Sequence, residues 1–176
     1  TSITVEEGNG SFLSIDGVFF YSFEPLTLVI YPSAKAESSY QIPANVTGIG
    51  DYAFLGTTAL TSITIPAGVT DIGYNAFENA TLLNSVEFLG NAPTVYDDAF
   101  LNIGNSPKAY IKFGATGFIL DGTGKWNGLT VEIGDPPVDT PESSSTTSKI
   151  ISIKLPKFYT SVSTLTKSQK SALKNL

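Results

Sequence analysis

The chain has 176 residues, 41% of them apolar, and a formal net charge of −6. That length suits one ordinary domain and part of a second, and the apolar share is too high for wholesale disorder. Cysteine and histidine are both absent, which excludes disulfides, thiolate or imidazole metal ligation, and Cys or Ser–His nucleophile systems. Ile, Val, Phe and Tyr stand out among the apolar residues, and Gly, Ser and Thr are abundant, a balance that favours strands and turns over long helices. No apolar run approaches the roughly 18 residues of a membrane span. The chain opens on Thr1 without a charged-then-apolar leader, so it reads as the mature or interior part of a longer protein. Residues 1–148 hold all 16 acidic residues and four lysines, whereas residues 149–176 hold six lysines and no acid. An acidic body argues against nucleic acid as a partner, because phosphate binding needs clustered cations.

In chain order, residues 1–39 come first and are expected to form an N-terminal β cap. They carry two β-rich runs, Phe12 to Phe23 and Leu26 to Tyr31, with Glu24-Pro25 between them. A hairpin is the natural reading, and it would cover an edge that otherwise offers unpaired backbone groups.

Residues 40–113 repeat themselves at a 23-residue step. Ile42-Pro43 matches Ile65-Pro66, Val46-Thr47 matches Val69-Thr70, and Ile49-Gly50 matches Ile72-Gly73. Ala53-Phe54 matches Ala76-Phe77 and then Ala99-Phe100, while Ile63 and Ile65 map onto Val86 and Phe88 and then onto Ala109 and Ile111. A period in the twenties predicts a solenoid, here mainly β and about three coils long, because one such coil cannot bury its own apolar face and must share a core with its neighbours. Within a coil, Ser62-Ile63-Thr64-Ile65 alternates polar and apolar as a short strand, which Pro66 ends. Gly68, Gly73 and Asn75 suit corners, and Ala76-Phe77 would point inward from a turn or a single helical turn on the far side. Phe54, Phe77 and Phe100 are therefore expected in one interior column.

Residues 114–133 follow as an expected C-terminal β cap containing the single tryptophan, Trp126, in a packing role. Residues 134–148, rich in Pro, Ser and Thr, read as a linker. Residues 149–176 read as one strand, Ile150 to Leu155, and one helix start near Thr164 or Thr166. Those two elements cannot bury a core alone, so they read as the opening of a second domain, with a plain C-terminal helix as the alternative.

The phrase "IPANVTGIGDYAF…LTSITIPAGVTDIGYNAF" resembles the BspA-type leucine-rich repeat, with its I-P, V-T-x-I-G, A-F and L-x-S-I/V elements. Upstream, "IDGVFFYSFEPLTLVIYP" resembles that family's lead-in, in which a D-G-V-hydrophobic strand pairs with an L-x-x-Y-P strand. "FGATGFILDGTGKWNGLTVEIG" resembles its closing segment. The third repeat departs from the pattern, with Leu89 for Pro66 and Ser106 for Leu83, as an end coil facing water would. The resemblance implies a leucine-rich-repeat solenoid, a cell-surface or secreted location on a bacterial envelope, and a non-catalytic module for adhesion to proteins or glycans. The segment 149–176 resembles the start of an OmpA-like domain, which implies peptidoglycan as a partner through a downstream region and, as a second function, a structural spacer.

No catalytic or cofactor constellation is legible. Asp97-Asp98 falls at a solvated corner before Ala99, which disfavours acid–base catalysis. Asp51, Asp71 and Asp97 do not share a repeat position and match no calcium pattern, and "GTGKWNG" lacks P-loop spacing. A glycan-acting enzyme using Glu87 is the least favoured reading. The candidate site is instead a ladder on the strand face: Ser39, Ser62, Ser85 and Lys108 in one row, Gln41, Thr64, Glu87 and Tyr110 in the next. Parallel pairing would stack each row at about 4.8 Å intervals as a shallow polar surface, suited to a protein or glycan ligand. The alternative is that these are ordinary solvated strand residues.

Overall fold

The computed structural model describes residues 2–136. The strand and helix expected over 149–176, and most of the linker, lie outside the described residues. Twelve short strands and no helix make up the described part. They are β1 (Phe12–Ile15), β2 (Val18–Tyr21), β3 (Thr27–Ile30), β4 (Ser39–Gln41), β5 (Gly48–Ile49), β6 (Ser62–Ile65), β7 (Asp71–Ile72), β8 (Ser85–Phe88), β9 (Thr94–Val95), β10 (Lys108–Ile111), β11 (Lys125–Trp126) and β12 (Leu129–Ile133).

The protein is a mainly β solenoid with two sheets. One has the order β11-β12-β10-β8-β6-β4, the other β1-β2-β3-β5-β7-β9. Register in the first follows the 23-residue step: Ser39 pairs with Ser62, Ser62 with Ser85, and Ser85 with Lys108. β6 ends at Ile65, just before Pro66, and β8 ends at the same register before Leu89. Five parallel strands, β4, β6, β8, β10 and β12, mark about five turns. Coils whose motif has decayed still contribute a strand, so the ladder outruns the three coils in which the motif is readable.

The second sheet carries β5, β7 and β9, each only two residues long, paired in parallel. Ile49 and Ile72 face inward from it and are buried. The segment that follows is a turn, not a helix. Leu55, Glu78 and Leu101 donate amides to the carbonyls of Tyr52, Asn75 and Asp98, at 3.0 Å each. Tyr52, Asn75 and Asp98 all have φ between 53° and 58°. That left-handed conformation favours Asn and Asp and makes Tyr52 the exception.

The far-side turns fix the core. Phe54, Phe77 and Phe100 stack in one column, with centroid spacings of 4.8 and 5.2 Å and interplanar angles of 12° and 6°. The spacing is close to the ~4.8 Å between paired strands, so ring stacking and backbone pairing share one pitch. Tyr31 extends the column, 5.1 Å from Phe54. Its amide donates to Ala53 O as Phe54 donates to Ala76 O and Phe77 to Ala99 O, all at 2.7 Å. Tyr31 thus occupies the phenylalanine position of an earlier coil. Burial, with the Glu37 charge as a lesser cause, pushes its phenol up to about 12.

At the N-terminal end, β2 pairs antiparallel with β3, as the lead-in resemblance implies. The first β-rich run is itself a hairpin, however: β1 and β2 pair across Asp16-Gly17. Their φ values of 51° and 76° fit the two-residue turn that Asp-Gly favours. At the other end Trp126 is buried and packs edge-on against Phe88 and Phe118, at 5.2 and 4.8 Å.

Candidate functional site

The polar positions of β4, β6, β8, β10 and β12 line up strand by strand because parallel pairing at a fixed step leaves no freedom of register. Gln41, Thr64, Glu87, Tyr110 and Glu132 form one row, and Ser39, Ser62, Ser85, Lys108 and Thr130 the other. Alternation puts these rows on the face opposite Ile63, Val86 and Ala109, which are buried.

Exposure along the ladder is graded. Ser39 and Gln41 are exposed; Ser62, Thr64, Ser85, Glu87 and Lys108 are half-buried. Tyr110 is only 7% exposed yet lies outside the core cluster. Lys108 and Lys112 share its face two residues to either side. They reach across to Glu132 and Glu87, at 2.7 Å each. Tyr110 is therefore a floor of the ladder and not a free contact point.

The two halves of the face differ in chemistry. Around β4 and β6 it is neutral and hydroxyl- or amide-bearing. Around β8, β10 and β12 it is a connected charge network. Glu87 accepts from the Thr64 hydroxyl at 3.1 Å and from the Lys112 ammonium, which also pairs with Asp135. Those bonds, Asp135 first and Glu87 second, hold the Lys112 ammonium above its usual range, and the bond to Glu132 does the same for Lys108. Glu87 is thus engaged on both oxygens. The Ser85 hydroxyl, midway along its row, is buried without a partner among the described residues.

The other carboxylates singled out in the sequence are scattered. Asp51 accepts the Tyr74 amide at 2.8 Å, and Asp71 accepts the Thr70 hydroxyl at 2.7 Å. Among the described residues, no group of three or more acidic side chains could hold a metal ion, and no helix is long and apolar enough to cross a membrane. Asp97 and Asp98, exposed as expected, line an open cleft of about 310 Å³ with Tyr96, Phe100 and Asn127. No sequence signal marks this cleft, because Asn127 comes to it from a separate hairpin.

Two stacked sheets with one strand per coil define the class: a leucine-rich-repeat solenoid. Residues 33–116 match the BspA type leucine rich repeat region in six copies, and this part of the chain belongs to that family. No curated protein matches the chain. Among solved structures it is similar to the pneumococcal vaccine antigen PcpA, at 22% identity and a TM-score of 0.50, over 75% of this chain and 38% of that one. A leucine-rich repeat protein from Bacteroides capillosus is 22% identical over 71% of this chain and 99% of its own, with a TM-score of 0.43. A leucine rich cell surface protein from Faecalibacterium prausnitzii is 20% identical over 77% and 42%, with a TM-score of 0.49. The chain thus spans 38% of the pneumococcal protein's length, and that likeness shows a shared fold.

Proposed function

We propose that the protein is a non-catalytic interaction module of a bacterial cell surface, which presents the β4-to-β12 strand face to a protein ligand. The observation that carries this reading is the in-register ladder, whose β4–β6 half is polar, exposed at β4 and free of the ion pairs that occupy the other half. An extended shallow surface of that kind suits a macromolecule, whereas small ligands favour concave apolar pockets. Support for the surface location comes from the repeat family itself. Support for a non-catalytic role comes from the engagement of Glu87 by Thr64 and Lys112.

The test is binding of the full chain to host and bacterial cell surfaces, before and after protease treatment of those surfaces. The Gln41→Ala/Thr64→Ala double variant is expected to weaken protease-sensitive binding by about tenfold, corresponding to about 1.4 kcal/mol. Unchanged binding by that variant would remove the ladder from the account.

A further inference from the structure

Away from the strand face, one departure from the repeat replaces a glycine with an aromatic residue. Gly50 and Gly73 follow Ile49 and Ile72 where coils approach closely. A Cβ on Gly73 would lie 2.4 Å from Asp51 Oδ1 and 2.6 Å from its amide nitrogen. The next 23-residue step puts Tyr96 at that position. Tyr96 is 42% exposed, and its ring sits 4.9 Å, centroid to centroid, from that of Tyr74, a residue 46% exposed. Two large rings side by side, each residue nearly half exposed, lie outside the core cluster. A local rule broken without structural gain points to function.

Tyr96 also lines the cleft of about 310 Å³. Phe100, the last ring of the interior column, forms part of the lining. Asn127 is brought there by the tip of the β11–β12 hairpin, where φ values of 46° and 82° at Asn127 and Gly128 make a tight two-residue turn. Asp97 stands at the repeat position of Asp51, whose carboxylate accepts the Tyr74 amide of the next coil. Among the described residues, no strand follows β9 in its sheet. The amide that would engage Asp97 in the same way is therefore missing, and its acceptor oxygens stay on the cleft wall.

We propose that the cleft and the Tyr74–Tyr96 pair form a binding site for a neutral oligosaccharide of equatorially substituted hexopyranose units. One face of such a ring is all C–H, weakly positive, and matches the negative face of an aromatic ring. Its rim of hydroxyls suits the carboxylate acceptors of Asp97 and Asp98 and the amide of Asn127, which both donates and accepts. The cleft volume, near the low end of the ~300–1,000 Å³ typical of small-ligand sites, fits a terminal sugar, with the next unit lying over the tyrosines. Two lining carboxylates, on a chain of net charge −6, oppose acidic sugars. The site is separate from the strand face and does not depend on the reading given for it.

Calorimetric titration of the full chain with cellohexaose, chitohexaose and an oligogalacturonate tests the proposal. At least one neutral hexamer is expected to saturate, and the acidic oligomer is not. Saturation by both hexamers assigns recognition to the shared ring face; saturation by one assigns it also to the substituent at the second carbon. Tyr96→Ala and the near-isosteric Asp97→Asn are each expected to weaken binding at least about tenfold. Glu7→Gln, at an exposed position of the N-terminal segment, is expected to leave it unchanged. Failure of both neutral hexamers to saturate, undiminished binding by Tyr96→Ala and Asp97→Asn, or equal binding of the acidic oligomer overturns the proposal.

Discussion

Glycines at two corners of one coil separate steric need from mere habit. A Cβ on Gly68 would meet its nearest neighbour, the Val46 carbonyl, at 3.5 Å, which is ordinary contact. A Cβ on Gly73 would meet backbone atoms of the preceding coil at 2.6 and 2.7 Å. Gly73→Ala is therefore expected to cost about 1–3 kcal/mol as the coils are forced apart. Gly68→Ala is expected to stay within about 0.5 kcal/mol of the parent. Urea unfolding of the two variants checks the contrast; equal losses would contradict it. At this scale the sequence was most informative where one residue type recurs. Three phenylalanines at one step could only be a column. Tyr31 escaped notice because it keeps the aromatic ring but lies before the first full motif. Tyr110 was misjudged as open because alternation tells which face a side chain takes and says nothing of what its neighbours lay over it.

Among elements, the closing hairpin depends on one carboxylate. Asp121 accepts the Thr123 amide and hydroxyl and the Lys125 amide, at 2.8, 2.7 and 3.1 Å. Those bonds, the Thr123 hydroxyl foremost, hold its carboxyl below the usual carboxylate value. A folded-state value lowered in this way contributes stability that is complete above the unfolded value of about 3.9 and is lost as pH falls through the folded one. Emission from Trp126, buried beside this loop, is expected to shift to the red below about pH 4. Asp121→Asn is expected to remove that acid step while leaving emission at neutral pH nearly unchanged; an identical acid profile would disconnect Asp121 from the hairpin. The strands of the ladder were readable because four residues suffice to show alternation. The sheet of β5, β7 and β9 was not, because two residues carry no period. The β1–β2 hairpin is signalled only by Asp16-Gly17, a turn pair inside a run whose apolar residues otherwise continue to Phe23.

For the whole molecule, stability is expected to grow by nearly equal increments, since each coil contacts only its neighbours. Duplicating residues 62–84 in tandem is expected to raise the thermal midpoint and to add one further stacked aromatic ring. A lower midpoint, or loss of a single cooperative transition, would show that the coils are not interchangeable. The architecture was legible in outline because a period survives decay of individual residues. The cleft was not, because it joins a corner of the last coil on that side to a hairpin whose tip lies about one coil further along the chain. Such a meeting has no signature in either segment alone.

The phenylalanine column and the paired strands climb at a common rise. Any feature carried once per coil is thereby copied along the axis like marks on a measuring rod. A lineage that gains or drops whole coils can lengthen or shorten its reach in steps of about 4.8 Å without redesigning either end, and a partner built from regularly spaced units could be fitted by counting coils.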